Sequence, residues 1–270
     1  MTETRHLPDP NRVSVLTAAV LLAFALTRVI EMPRYEIALP LGSLDLSFVF
    51  NMDMFIVLIA AGLTAVGMDW MLRTHPSLQA GETREHWLLP TLTVFVIGIV
   101  LYSLPQTAVW WLGFGLGAAL LLVVFVAEYV AVDSTDARYP LATIMLTALA
   151  FVIFLALAVA LKASAARLVL VAPALFFASG LTALRTLHLR LNERWEFAWA
   201  VGIAVIATQL GAAMHYLPLT PVHFGLVLLG PVYGLTVMAV QLIETTPLRR
   251  AIVEPAIMLA IFWGLAFVFR

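Results

Sequence analysis

MLTALAFVIFLALAVAL, residues 145–161, carries no charged side chain and a single hydroxyl, Thr147. Such a run approaches the ~20 apolar residues that an α-helix needs to cross ~30 Å of hydrocarbon. Val13 to Ile30 reads the same way, and Phe55 to Gly67 is a shorter run with almost no charge. The rest of the chain agrees: 63% of its 270 residues are hydrophobic and 11% charged, against roughly 45–50% apolar content in a soluble domain. Mean hydropathy is +1.01. These values define an integral membrane protein.

Outward from residues 145–161, apolar runs place spans at about 13–31, 52–72, 87–104, 107–131, 140–161, 165–187, 195–217, 221–243 and 249–269. Hydrocarbon offers backbone groups no partner, so spans are helices or closed barrels, and the alternating pattern of a barrel is absent. The expectation is an all-α, polytopic transmembrane helix bundle of about nine spans, with residues 13–270 forming one transmembrane domain. The polar stretch MTETRHLPDPNR, residues 1–12, reads as a disordered cytoplasmic arm. No small-residue cleavage motif follows the first span, which therefore reads as a retained anchor. The tight turn at Tyr102 to Gln106 admits a second reading as a kink within one span, giving eight.

Basic residues set the expected orientation. With the N-terminus cytoplasmic, the inner segments hold Arg5, Arg12, Arg73, Arg84, Arg138, Arg185, Arg190, Arg194, Arg249 and Arg250, ten of the fifteen. The outer side holds Arg28, Arg34, Lys162, Arg167 and Arg270. Nine spans then put the C-terminus outside. Residues 35–50, YEIALPLGSLDLSFVF, alternate with period two around Gly42-Ser43 and read as a short outer β-hairpin or as an interfacial loop.

Function classes fall away through missing parts. The chain has no cysteine, which removes disulfides, thiolate metal sites and iron–sulfur ligation. A net charge of −1 leaves no footprint for nucleic acid. The middle thirds of the spans hold no Asp, Glu, Lys, Arg or His, whereas proton-coupled transporters place such groups near the midplane. The only lysine, Lys162, sits at the end of a span rather than where a retinal Schiff base would need it. His215 and His223 flank an outer turn, too few for zinc and misplaced for haem. No cofactor or metal is expected.

Polar residues gather instead at the inner boundary. AEYVAVDSTDARYP, residues 127–140, brings Glu128, Asp133 and Asp136 together, and GMDWMLRTHP adds Asp69 and Arg73 at i,i+4. The stretch LRTLHLRLNERW carries Arg185, His188, Arg190 and Arg194; Glu244 closes the eighth span and Glu254 opens the ninth just before Pro255. Carboxylates holding Mg²⁺ beside arginines gripping a phosphate would make a lipid or polyprenyl-phosphate enzyme around Asp69, Glu128, Asp133, Asp136 and Arg185. The spacing matches no phosphotransfer motif. Each part also has a plainer explanation: Asp133 to Asp136 as a solvated turn, Glu254-Pro255 as a helix start, and the arginines as positive-inside charge. Glu128 lies about a turn deeper than a surface carboxylate needs to.

Gln209, with Tyr233 at comparable depth in the next span, is the other polar candidate: helix-to-helix glue, or the lining of a small-solute path. Gly113 with Gly117, and Gly230 with Gly234, are spaced four apart, which lets helices approach closely.

The segments GLTAVGMDWMLRTHP, AEYVAVDSTDARYPLATIMLTALAF, ATQLGAAMHYLPL and LRRAIVEPAIML together resemble an uncharacterised family of bacterial multi-spanning membrane proteins, from about residue 50 onward. The resemblance implies a bacterial inner-membrane location and supports the topology. In that family's pattern an acidic residue stands where Gln209 stands here, so the departure speaks against a titrating group in the seventh span. No activity comes with it. The sequence thus favours a non-enzymatic accessory, assembly or scaffold subunit, its partners the bilayer and other membrane proteins, over the enzyme and the transporter.

Overall fold

A computed structural model describes residues 7–29, 34–41, 44–78, 83–105, 107–191 and 194–268. Among them, nine helices are long and apolar enough to cross a membrane. They group into two compact units, Leu7–Val126 and the chain from Ala127 onward.

In the first unit, α1 spans Pro10–Val29, three residues earlier than the apolar run suggests. The cause lies in the polar arm: the Asp9 side chain accepts the Asn11 N–H at 2.9 Å, and Pro10 supplies the φ of a first helical residue. Strands β1 (Arg34–Leu41) and β2 (Leu44–Asn51) pair antiparallel; Gly42 and Ser43 lie outside the described residues. Then come α2 (Met52–Leu72), a 3-10 turn at Arg84–Trp87, α3 (Leu88–Ser103) and α4 (Ala108–Val130).

The stretch after α3 is a reversal, not a kink. Leu104, which precedes Pro105, is extended at φ −80°, ψ 142°, because proline disfavours helical backbone in the residue before it. Helix α4 then returns along α3. A Cβ on Gly113 would lie 2.6 Å from Leu104 Cδ1, and one on Gly117 would lie 2.9 Å from Ile97 Cγ2. Phe24, Met68, Leu72, Val94 and Leu121 fill the interior.

The second unit takes in the last turn of α4, then α5 (Tyr139–Ala163), α6 (Leu168–Arg190), α7 (Phe197–His215), α8 (Pro221–Ile243), a single turn α9 (Leu248–Ala251) and α10 (Val253–Val268). Helix α8 packs against α5, α6, α7 and α10. Its start is capped by Thr220, whose hydroxyl accepts the His223 N–H at 3.3 Å, with Pro221 next. The ninth expected span is broken at Ile252. Pro255 has no N–H to give the carbonyl of Ala251, so one helical bond is missing there. Gly230 and Gly234 face α10: a Cβ on Gly230 would meet Leu259 Cδ1 at 2.9 Å, and one on Gly234 would meet Pro255 at 3.5 Å. Lys162 Nζ donates to the carbonyls of His215 and Leu217 at 2.7 and 3.1 Å, tying the end of α5 to the α7–α8 turn.

Candidate functional site

Helices α4 and α6 lie two apart in the chain, and each carries a charge near its end: Glu128 two positions before Val130 and Arg185 five before Arg190. These two charges meet. Arg185 Nε donates to Glu128 Oε1 at 3.2 Å, and Nη2 donates to Oε2. Glu128 is 0% and Arg185 1% exposed. The planar guanidinium matches both carboxylate oxygens at once, a geometry lysine does not offer. Arg185 is therefore not the interfacial charge that a positive-inside count assumes, and Glu128 is not a free carboxylate awaiting a metal.

The last turns of α6 are buried on every side: Thr182, Arg185, Thr186 and His188 are covered along with Ala183, Leu184 and Leu187. His188 stacks on Trp195, ring centroids 4.2 Å apart. At this buried helix end the Arg185 charge is met by Glu128 rather than by water.

The Asp133–Asp136 turn makes the local bonds its sequence suggests, with one difference. Asp133 Oδ1 accepts from the Thr135 N–H at 2.9 Å and from its hydroxyl at 2.6 Å, the bonds of a local turn. Asp136, expected to be solvated, is buried. Its carboxylate accepts the Arg138 N–H at 2.8 Å and takes Arg138 Nη2 at 2.8 Å, so the adjacent guanidinium does the work expected of water. That carboxylate also holds the Arg138 guanidinium above its ordinary pKa.

Asp69, in the first unit, binds Arg73 Nη2 at 2.6 Å and accepts from the Thr83 hydroxyl at 2.6 Å. The first is the expected i,i+4 pair. The second ties α2 to the segment leading into α3.

Gln209 and Tyr233 part company. Gln209 is exposed on α7. Tyr233 is half-buried between the rings of Phe151 and Phe262, centroids 5.0 and 6.0 Å away. Its phenol lies in the neighbourhood of Arg190 and Glu254, and Glu254 Oε2 accepts from Gln241 Nε2 at 2.9 Å. Gln241 was not singled out in the sequence, where one more amide near a helix end carries no signal. Among the described residues no three His, Cys, Asp or Glu side chains gather as a metal would need.

No curated protein and no solved structure matches the chain. Residues 32–269 match a family described as a protein of unknown function, DUF5656. That stretch takes in both strands and every helix after α1, and on it the chain belongs to the DUF5656 family of multi-spanning membrane proteins.

Proposed function

We propose that the chain is a non-enzymatic subunit of a membrane complex, an accessory, assembly or scaffold protein of the bacterial cytoplasmic membrane, with its N-terminus cytoplasmic and its C-terminus outside. Gln209 carries this reading. Its side chain is exposed near the middle of α7, on a face it shares with Val201, Val205 and Ile206, which are 50%, 40% and 42% exposed. It forms no hydrogen bond among the described residues. Hydrocarbon cannot satisfy an amide's donors and acceptor, whereas a polar side chain on a neighbouring transmembrane helix can.

A place for such a helix lies alongside. Ala198 and Gly202 leave a shallow apolar groove of about 350 Å³ between α7 and α8, walled by Ile206, Leu235 and Met238. The occupant argued for is a transmembrane helix of another subunit, with a hydrogen-bonding side chain at the depth of Gln209. The carboxylates considered for catalysis support the same reading, since Asp69, Glu128, Asp133 and Asp136 are each engaged by neighbours in sequence or in the bundle.

Purification from membranes in mild detergent tests it. A defined membrane protein should co-purify in fixed ratio with the wild type and be lost from Gln209→Leu. A solitary monomer, or a self-association indifferent to Gln209, would overturn the proposal.

A further inference from the structure

Where α8 turns into α9 and α10, an open groove of about 540 Å³ is lined by polar groups at one end and apolar ones at the other. Gln241, Thr246, Arg250 and Glu254 form the polar end. Arg250 and Glu254 are four positions apart, the spacing at which opposite charges on a helix normally pair. They form no ion pair here, and the break at Ile252 lies between them. Glu254 is instead steadied by Gln241, whose Nε2 donates to it at 2.9 Å. Arg250 has no partner among the described residues. A cation and an anion thus open onto one cavity without neutralising each other.

The groove's apolar end decides the kind of ligand. Val253 and Ile257 line it and are 55% and 53% exposed, and Ile261 continues the same row of α10 at 46%. This row runs along a helix that crosses the membrane, so a chain lying on it stays in hydrocarbon while its head reaches Arg250. We propose that the groove binds a zwitterionic phospholipid bearing a primary amine. The phosphate sits on Arg250 and the ammonium on Glu254, with Gln241 and Thr246 as further hydrogen-bond partners.

The chemistry discriminates among headgroups. Glu254 repels a purely anionic lipid. A quaternary choline has no N–H to give the carboxylate, whereas a primary ammonium has three.

The test is native mass spectrometry of the full chain titrated with phosphatidylethanolamine, phosphatidylcholine or phosphatidylglycerol of equal chain length. Phosphatidylethanolamine should be retained several-fold over both others. Glu254→Gln should erase the preference over phosphatidylglycerol, and Arg250→Gln should weaken all three. Equal retention of the three lipids by the wild type overturns the proposal without recourse to any variant, as does a preference that survives Glu254→Gln. Soluble phosphoethanolamine should not compete at lipid-equivalent concentration; if it does, the ligand is a free phosphoamine and the lipid assignment fails.

Discussion

The Arg185 guanidinium forks onto the Glu128 carboxylate with both side chains sealed from solvent, so α4 and α6 are joined by a charge pair that water does not reach. Removing two ions from water costs several kcal/mol each, and their attraction recovers this only while both are present. Arg185→Met or Glu128→Gln alone should therefore destabilise the protein by about 3–5 kcal/mol. The double change Glu128→Leu with Arg185→Met should restore most of that loss. Thermal unfolding in detergent, followed by tryptophan fluorescence, checks both. A Glu128→Gln protein as stable as the wild type would show that the pair does not hold the fold.

Glycines spaced alike in sequence should differ in tolerance. Gly115 has open space where a Cβ would go, whereas at Gly98 a Cβ would lie 2.5 Å from Val57 Cγ1 and 3.1 Å from its Cβ. Valine is stiff about χ1 and has no slack to give. Gly98→Ala should cost about 1–3 kcal/mol, as overpacking does, while Gly115→Ala should be neutral or mildly stabilising. Gly117→Ala should fall between them, since a single methyl, Ile97 Cγ2, stands close, at 2.9 Å rather than 2.5 Å. The same unfolding assay ranks the three.

The membrane fold was legible because long uncharged runs such as residues 145–161 have no other stable home. The rotation of each helix was not. Lipid is as apolar as a protein interior, so the periodicity that marks the buried face of a soluble helix loses its contrast. Gln209 accordingly read as a bundle residue and stands on the surface. Glu128 was visible as a carboxylate about a turn too deep and Arg185 as one of the inner-side basic residues, but neither position says that the last turn of α4 meets α6 through this pair. The DPNR start of α1 shows a local difference of another kind: its polarity suggests a disordered arm, while the Asp9 cap and Pro10 make it a helix start.

Thr245 ends α8 in the left-handed region at φ 63°. The Thr245 N–H reaches the Leu242 carbonyl at 3.1 Å and the Thr246 N–H reaches the Gln241 carbonyl at 2.9 Å. That is the pattern of a helix terminator usually built on glycine, and a β-branched residue is strained there. Thr245→Gly should therefore raise the unfolding midpoint, with a gain of up to about 1 kcal/mol once glycine's extra freedom in the unfolded chain is set against the relieved strain. A fall in the midpoint would mean that the threonine side chain makes contributions larger than its backbone strain.

The two partners of Asp69, Arg73 and Thr83, should separate cleanly under mutation. Arg73 leaves 73% of its side chain in the open, while Asp69 leaves 19%. An ion pair on so exposed a partner is screened and contributes about 0–1 kcal/mol. Arg73→Ala should thus leave unfolding and protease resistance close to wild type. The Thr83 hydroxyl, 2.6 Å from Asp69 Oδ1, belongs to a buried residue 14 positions away and holds the α2–α3 connection against α2. A hydrogen bond to a charged group contributes about 1.5–3 kcal/mol. Thr83→Val keeps the shape and removes the donor, so limited proteolysis should cut that connection several-fold faster in Thr83→Val, with global unfolding shifted far less. Equal cleavage rates in the two variants would show that packing of the connection, rather than the Asp69 bond, fixes it in place.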